Sequence, residues 1–257
     1  MNVLARVWDL VAASQPLPPA WVVGLTGLIA LIVVLNTGSW RLSGKVITIA
    51  HEGGHALVSV LSGRKLDGIR LHPDSSGVTY SRGRRTGPGL VLTAAAGYVM
   101  PSLLGAGAAA LLAERHLTAM LWLALVLLAA TFLAVRNVFG AVAVLATAVA
   151  VFAVSYYAPP AVQAGFAYLA AWFLLFGGVR PVVELARGEI RGRRGAGGSR
   201  GSRGSRGSRA WVQASDADQL ARMTGVPAGL WVALFALVAL AALAVGASLL
   251  IPSGWHP

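Results

Sequence analysis

Two histidines and a glutamate in an apolar stretch of the chain have the clearest capacity for chemistry. The sequence HEGGH at 51–55 places His51 and His55 four residues apart, with Glu52 between them. On a helix, residues four apart share one face, so both imidazoles can reach one Zn²⁺ at about 2.0–2.1 Å. Glu52 would lie beside the metal position, where a carboxylate can take a proton from water that the metal activates. The spacing therefore predicts metal-assisted hydrolysis.

The surroundings of this motif distinguish it from a chance match. HExxH also occurs in soluble helices, where its polar side chains simply face water. Here it lies in the apolar segment Val46–Leu61, where ionisable side chains are costly and usually functional. Gly53 and Gly54 would let another backbone or a substrate strand approach closely, or would serve helix packing alone. Because a metal would satisfy both histidines, this context favours a metal site.

The composition indicates an integral membrane protein. Of the 257 residues, 56% are hydrophobic and 12% charged, the mean hydropathy is +0.70, and cysteine is absent. Soluble domains have about a quarter of their residues charged, so this class is excluded. The lack of cysteine excludes disulfide scaffolds and thiolate metal sites. We attribute the 21 Lys and Arg against 9 Asp and Glu to loops at the cytoplasmic face of a lipid bilayer, not to nucleic-acid binding.

Apolar periodicity predicts an all-α integral membrane bundle of about seven transmembrane helices, with a small β-hairpin after the HExxH helix. The seven segments are Trp21–Leu35, Val46–Leu61, Gly89–Ala113, Met120–Val135, Val138–Tyr157, Ala161–Val179 and Gly229–Ile251. With a cytoplasmic N-terminus, all but three of the 21 Lys and Arg fall on the cytoplasmic side, the exceptions being Arg41, Lys45 and Arg115. The positive-inside rule thus predicts a multi-pass protein of the cell membrane whose C-terminus is outside.

Three further segments complete the expected organisation, a single domain over residues 1–257. Residues 66–82 alternate like strands around a Pro-Asp-Ser-Ser-Gly turn and predict the hairpin. Residues 191–210, which include four Gly-Ser-Arg repeats, predict a flexible basic linker. The residues after the linker, from Ser215 to Asp218, resemble a capping box that opens a short helix.

The chain resembles the site-2 protease family of intramembrane zinc metallopeptidases, and more narrowly its compact B-like branch from actinobacteria. The similarity rests on HEGGH in an early span and on GRKLDGIRLHPDSSGVTYSR at 63–82. It extends to AAGYVMPSLLGA at 95–106, RNVFG at 136–140 and SDADQLARMTGVPAGLW at 215–231. The resemblance implies a protease that cleaves a membrane protein substrate within the bilayer. It implies that His51 and His55 bind the zinc and that Glu52 is the catalytic glutamate.

The family's third metal ligand is an aspartate, usually in a pattern that this sequence lacks. Asp216 matches the Ser-Asp-Ala pattern of the B-like branch and is the preferred ligand, with Asp218 supporting it or capping the helix. Both carboxylates could instead serve only as caps of a cytoplasmic helix. If Asp216 is the ligand, its segment must enter the protein and line a cavity that water can reach.

The remaining polar candidates have structural interpretations. Asp67 lies in a Leu-Asp-Gly sequence only 12 residues after His55, and we assign it to the hairpin. Asp74 reads as a turn residue. Asn137 is expected to cap a span or pair at its end, with a role in orienting substrate as the alternative. Three histidines are not expected to bind metal: His72, His116 and His256.

Two other functions remain compatible with these residues. One is a zinc-binding membrane protein that senses or transports metal without hydrolysis, and the other is a catalytically inert scaffold. The intact motif argues against an inert relic, because a relic has no reason to retain both histidines and the glutamate. For a protease, we expect the hairpin to hold an unwound substrate segment by strand addition. The sequence does not specify an oligomeric state.

Overall fold

The computed structural model describes residues 14–198 and 215–251, with the backbone alone for 191–198. Eight helices and one two-stranded sheet follow one another in the described part of the chain. The helices are α1 (Ala20–Leu35), α2 (Thr37–Leu61), α3 (Pro88–Ala113), α4 (Leu117–Ala134), α5 (Val138–Tyr157), α6 (Pro160–Gly198), α7 (Asp216–Thr224) and α8 (Ala228–Leu250), and the strands between α2 and α3 are β1 (Lys65–Leu71) and β2 (Gly77–Arg82).

The described helices give five candidate membrane spans, and the predicted count of seven is not confirmed. Helices α3, α4, α5, α6 and α8 are each long and apolar enough to cross a bilayer. Helices α1 and α2 pass this test only together, as a pair bent by 102°, so the count rises to six if the pair is one broken span. The first two predicted spans, Trp21–Leu35 and Val46–Leu61, thus lie in one bent pair of helices.

Asn36 explains the bend between α1 and α2. Its backbone is extended, with φ −74° and ψ 125°, and its side chain accepts hydrogen bonds from the backbone N–H groups of Gly38 and Ser39. A side chain that satisfies free N–H groups in this way starts a new helix. Arg180 braces the junction, because its guanidinium donates to the carbonyl of Val34 and lies over the ring of Trp40, 4.5 Å from the ring centre.

The first described residues lie at the end of the bundle opposite to the hairpin. The backbone N–H of Gln15 donates to the carbonyl of Arg115 at 2.9 Å, and its side chain donates to Thr118 at 2.9 Å. Arg115 lies in the α3–α4 connection and Thr118 at the start of α4, whereas the residues after α4 contact the hairpin. Helix α1 therefore leads from the far end to the hairpin end.

Helix α2 stays at the hairpin end and lies along the sheet. Lys45 donates to the carbonyl of Pro73 at 2.8 Å, and Thr48 donates to the carbonyl of Ser75 at 3.0 Å, so the hairpin turn is fastened to the first half of α2. The last residues of α2 lead directly into β1. The HExxH motif therefore lies close to the hairpin and not in the middle of a separate membrane-spanning helix.

The predicted hairpin over 66–82 is confirmed as an antiparallel pair, with Leu71 opposite Gly77 and Lys65 opposite Arg82. Its other long edge, on β1, is occupied by the residues that join α4 to α5. The backbone N–H of Arg136 donates to the carbonyl of Ile69 at 2.8 Å, and the side chain of Asn137 bonds to the backbone of Leu71. In the described part of the chain, β2 has no partner strand on its outer edge.

Two packed regions fix the framework around the motif. Small residues bring α2 and α3 together: a Cβ on Gly54 would lie 2.5 Å from the Cβ of Met100, so only glycine fits there. Helix α7 is anchored by Ala217 and Leu220, which are fully buried against α6 and α8.

Of the predicted linker 191–210, residues up to Gly198 continue α6 and the rest lies outside the described residues.

Candidate metal centre

The two histidines of the motif face the same point from adjacent turns of α2. Their Nε2 atoms lie 3.1 Å apart. On the opposite side of the ring, His55 Nδ1 lies 2.6 Å from the carbonyl oxygen of Thr93 on α3. Because a carbonyl can only accept, Nδ1 carries the hydrogen, and Nε2 of the neutral imidazole presents a lone pair. This contact with α3 fixes both the tautomer and the orientation of the ring.

Asp216 approaches the histidines from α7, far away in sequence. Its Oδ2 atom lies 3.1 Å from His51 Nε2 and 3.2 Å from His55 Nε2. The three residues form the one group of His, Cys, Asp or Glu in the described part of the chain whose ligand atoms are close enough to share a metal ion, all within 4.8 Å of one another. Two turns of one helix and the start of another thus supply two nitrogens and one oxygen.

The start of α7 is shaped so that Asp216 and Asp218 point to different partners. The Ser215 side chain accepts from the backbone N–H of Asp218, and the Asp218 carboxylate accepts from Ser215, at 3.0 Å from the backbone N–H and 2.8 Å from the hydroxyl. This is the capping box that the sequence predicted. The structure places Asp216, and not Asp218, beside the histidines.

The arrangement fits a bound divalent cation. Ligands at about 2.0–2.1 Å from a tetrahedral zinc lie about 3.3 Å from one another, close to the separations of 3.1–3.2 Å found here. Asp216 Oδ2 is buried, and apart from these imidazoles it has no hydrogen-bond donor among the described residues. At this distance the carboxylate oxygen and the imidazole nitrogens must share either a proton or a cation, since bare lone pairs would repel. The donor set of two imidazoles and one carboxylate suits Zn²⁺.

The charge state of Asp216 agrees with this role. Burial acts to raise the pKa of the Asp216 carboxyl, but hydrogen bonds and charge attraction from the two imidazoles outweigh it and hold the pKa well below its usual range. The group is therefore an anion at neutral pH. An anionic oxygen beside two imidazole nitrogens is the form in which a carboxylate binds a metal.

Gly97 on α3 is a site residue whose role the sequence did not reveal. A Cβ at this position would overlap His55 Nε2 and would lie 2.5 Å from His51 Nε2, so a side chain would fill the space that the ligands surround. Its neighbour Tyr98 contacts the His51 ring edge to face, with ring centres 4.9 Å apart, and stacks on Phe235 of α8. A single glycine in an apolar helix gives no sequence signal for such a contact.

Glu52 lies next to the ligands and is almost completely buried, with 3% of its surface exposed. Its carboxylate Oε2 accepts a hydrogen bond of 2.7 Å from the Thr79 hydroxyl on β2. A buried carboxylate beside a set of metal ligands is suited to accepting and returning a proton.

A cavity of about 740 Å³ opens onto these residues. Its wall is formed by α2, the hairpin turn, β2, the start of α3, part of α6 and α7, and it includes His51, Glu52, His55 and Asp216. The exposed Arg41 and Tyr80 also line it. Polar and apolar groups share the wall, so a peptide backbone and water can both be accommodated.

The alternative acidic candidates lie elsewhere, as expected. Asp67 forms an exposed ion pair with Arg82 at 2.6 Å, and hydrogen bonds from that guanidinium lower the pKa of the Asp67 carboxyl. Asp74 accepts from the hydroxyl and backbone of Ser76 within the hairpin turn, which lowers the pKa of the Asp74 carboxyl. Neither carboxylate belongs to the metal group.

The other polar residues considered from sequence also lie apart from the group. Asn137 is the N-cap residue of α5, as expected at a span end, but its side chain bonds to the backbone of β1 rather than to the helix. His72 lies in the hairpin turn, and His116 precedes α4. His256 lies outside the described residues.

Comparisons with known proteins give one positive result. No curated protein and no solved structure shows significant similarity to the chain. The model of the Peptidase M50B-like family matches residues 24–246, a range that includes all the residues of the metal centre. The chain therefore belongs to this family of metallopeptidases within the site-2 protease group, as the resemblance of its motifs predicted.

Proposed function

We propose that the protein is a zinc-dependent intramembrane endopeptidase that hydrolyses a peptide bond in or next to a transmembrane segment of a membrane protein. The observation that carries this proposal is the convergence of His51, His55 and Asp216 beside a buried glutamate, Glu52, in a cavity at the hairpin end of a membrane bundle. Family membership supports a metallopeptidase, and the five apolar spans support a multi-pass membrane protein.

The side chains divide the reaction between them. His51, His55 and Asp216 would hold the metal, which when bound supplies Lewis-acid polarisation of the scissile carbonyl and acidifies water. Glu52 accepts a proton from the attacking water as the new carbon–oxygen bond forms. It then gives this proton to the amide nitrogen as the carbon–nitrogen bond breaks, so that one water yields one carboxyl and one amine.

The hairpin offers a means of holding an unwound substrate. Residues 77–81 of β2 line the cavity, and the outer edge of β2 has no partner strand in the described part of the chain. A substrate segment that pairs with this edge would lie extended beside the metal centre. Unchanged cleavage after deletion of residues 66–82 would refute this role.

The charge distribution supports a cytoplasmic hairpin end in the cell membrane. The bend at Asn36 brings Arg41 and Lys45 to the hairpin side, together with the bases of the hairpin itself. Among the side chains that the structure describes, Arg115 is the one Lys or Arg at the far end. The positive-inside rule then places Gln15 outside, in contrast to the cytoplasmic N-terminal side expected from seven spans, while the end of α8 remains outside as expected.

The decisive test compares protein termini in membranes of cells that produce the wild type or Glu52→Gln. The variant keeps the shape of the side chain but cannot take up a proton, so we expect new termini from cleaved membrane proteins in the wild type and their loss in the variant. Glu114→Gln makes the same change at the exposed far end of α3 and should behave like the wild type.

Metal analysis of the purified proteins completes this test. We expect about one zinc per chain in both the wild type and Glu52→Gln, because Glu52 is not a ligand. Identical termini in the two strains would refute proteolysis. Zinc transport that persists in Glu52→Gln would instead support the metal transporter, since transport needs no general base.

A further inference from the structure

Two residues of β2 contact the Glu52 carboxylate from the hairpin. The Thr79 hydroxyl donates to Oε2 at 2.7 Å and lies 3.1 Å from the backbone carbonyl oxygen of Glu52. Two residues earlier, a Cβ on Gly77 would be only 2.6–2.8 Å from the Cγ, Oε1 and Cδ atoms of Glu52. Residues two apart on a strand face the same side, so this face of β2 is pressed against the carboxylate as closely as glycine allows.

The hairpin that carries Thr79 is held in place through β1 and through its turn. β1 pairs with β2, and the opposite edge of β1 is bonded to the α4–α5 connection through Arg136 and Asn137. The hairpin turn is bonded to α2 through Lys45 and Thr48. The Thr79 hydroxyl therefore belongs to a fixed element rather than to a loose loop.

A buried carboxylate on a flexible side chain needs such a partner to keep one orientation. A hydroxyl that donates to an ionised oxygen forms a short and strong hydrogen bond, and 2.7 Å lies in the usual range of O–H···O bonds. The bond takes up a lone pair of Oε2 and fixes the plane of the carboxylate, which determines where its remaining lone pairs point.

We propose that Thr79 is a positioning residue for the hydrolysis proposed above, holding the Glu52 carboxylate in the orientation in which it exchanges protons with water and the leaving nitrogen. Thr79 itself does not take up a proton. The inference rests on the proposed function, and it makes the hairpin part of the catalytic apparatus in addition to any contact with substrate.

The kinetic test compares Thr79→Val, which removes the hydroxyl at nearly equal volume, with Thr79→Ser, which keeps it. On a substrate found by the terminal-peptide comparison, we expect Thr79→Val to lower kcat by about 10- to 100-fold with little change in KM, since general-base assistance and a hydrogen bond to a charged group are both large effects. Thr79→Ser should stay close to the wild type. Thr147→Val, on α5 and away from the site, is the matched control.

A second measurement does not depend on cleavage. The carboxylate stretching band of Glu52, identified by infrared difference between the wild type and Glu52→Gln, should shift in Thr79→Val and not in Thr79→Ser. An unshifted band overturns the proposal even if no substrate is cleaved. If the band shifts but cleavage does not depend on Glu52, the contact between Thr79 and Glu52 is supported and the proposed function is refuted.

Two kinetic outcomes would also overturn the positioning role. Wild-type kcat in Thr79→Val would show that the hydrogen bond is dispensable. An equal loss in Thr79→Val and Thr79→Ser, or a change confined to KM, would assign Thr79 to packing or to substrate binding instead.

Discussion

Gly97→Ala should lower the zinc affinity of the site without unfolding the protein. The added Cβ would lie 2.5 Å from His51 Nε2 and 2.6 Å from His51 Cε1, and it would overlap His55 Nε2. Ordinary contacts between carbon and nitrogen are about 3.5 Å, so the ring must shift by about 1 Å. Zinc sites tolerate deviations of only about 0.2 Å in their ligand distances.

The expected loss of zinc affinity is therefore at least 10- to 100-fold, the range seen when groups that orient metal ligands are removed. The stability of the fold should not suffer from helix propensity, since alanine inside a helix is favoured over glycine by about 0.5–1 kcal/mol. A metal-poor protein with an intact fold is thus the predicted result. The measurement is zinc per chain by elemental mass spectrometry, in detergent and at a series of buffered free zinc concentrations.

Gly107→Ala supplies the matched control on the same helix. A Cβ at Gly107 would meet nothing within 4 Å, so this variant should bind zinc like the wild type. Wild-type zinc affinity in Gly97→Ala would show that the ligands do not surround the position in front of this glycine, and it would refute the proposed geometry of the centre.

Three further variants test other parts of the site. Asp216→Asn should lose zinc, whereas Asp218→Asn should retain most of it, because only Asp216 faces the histidines; equal zinc contents by the same mass spectrometry would contradict this assignment. Leu220→Ala should lower zinc affinity without touching a ligand, since emptying a fully buried position costs about 2–5 kcal/mol and loosens α7; zinc titration of the purified variant measures it. The pKa of the Asp67 carboxyl is lowered by its pair with Arg82, so this pair stabilises the fold at pH values above the ordinary carboxyl pKa. This stabilisation is lost as the pH falls through the lowered pKa. Arg82→Ala should therefore return the pKa of Asp67, measured by carbon-detected NMR, to its usual range.

The parts of this protein that the sequence could predict are those in which local spacing fixes geometry. Residues four apart on a helix meet on one face, and His51 and His55 do so here. The capping box around Ser215 is equally local, and it determines that Asp218 turns inward to the helix while Asp216 is left free to point elsewhere. That Asp216 reaches the histidines came only from the resemblance of its segment to a family.

The parts that the sequence could not predict arise from contacts between distant elements. Gly97 and Thr79 matter because α3 and β2 pack against α2, and neither residue belongs to a pattern with a fixed period. The predicted count of seven spans is not confirmed, for a related reason. Val46–Leu61 is apolar enough to suggest a separate span. Its apolar content does not reveal that the chain bends by 102° before this segment begins, where the side chain of Asn36 caps a new helix.

The orientation that follows from this bend can be tested directly, because the chain contains no cysteine. Ser14 and Thr86 are both exposed, Ser14 beside the α3–α4 connection and Thr86 between the hairpin and α3. An impermeant maleimide added to intact cells should label Ser14→Cys and spare Thr86→Cys, which should react only after the membrane is opened. With seven alternating spans and a cytoplasmic N-terminus, both positions would lie inside and neither would react in intact cells. Labelling of both positions only after lysis would therefore restore the seven-span topology, and it would separate Gln15 from Arg115 by the thickness of a membrane, in conflict with the hydrogen bond between them.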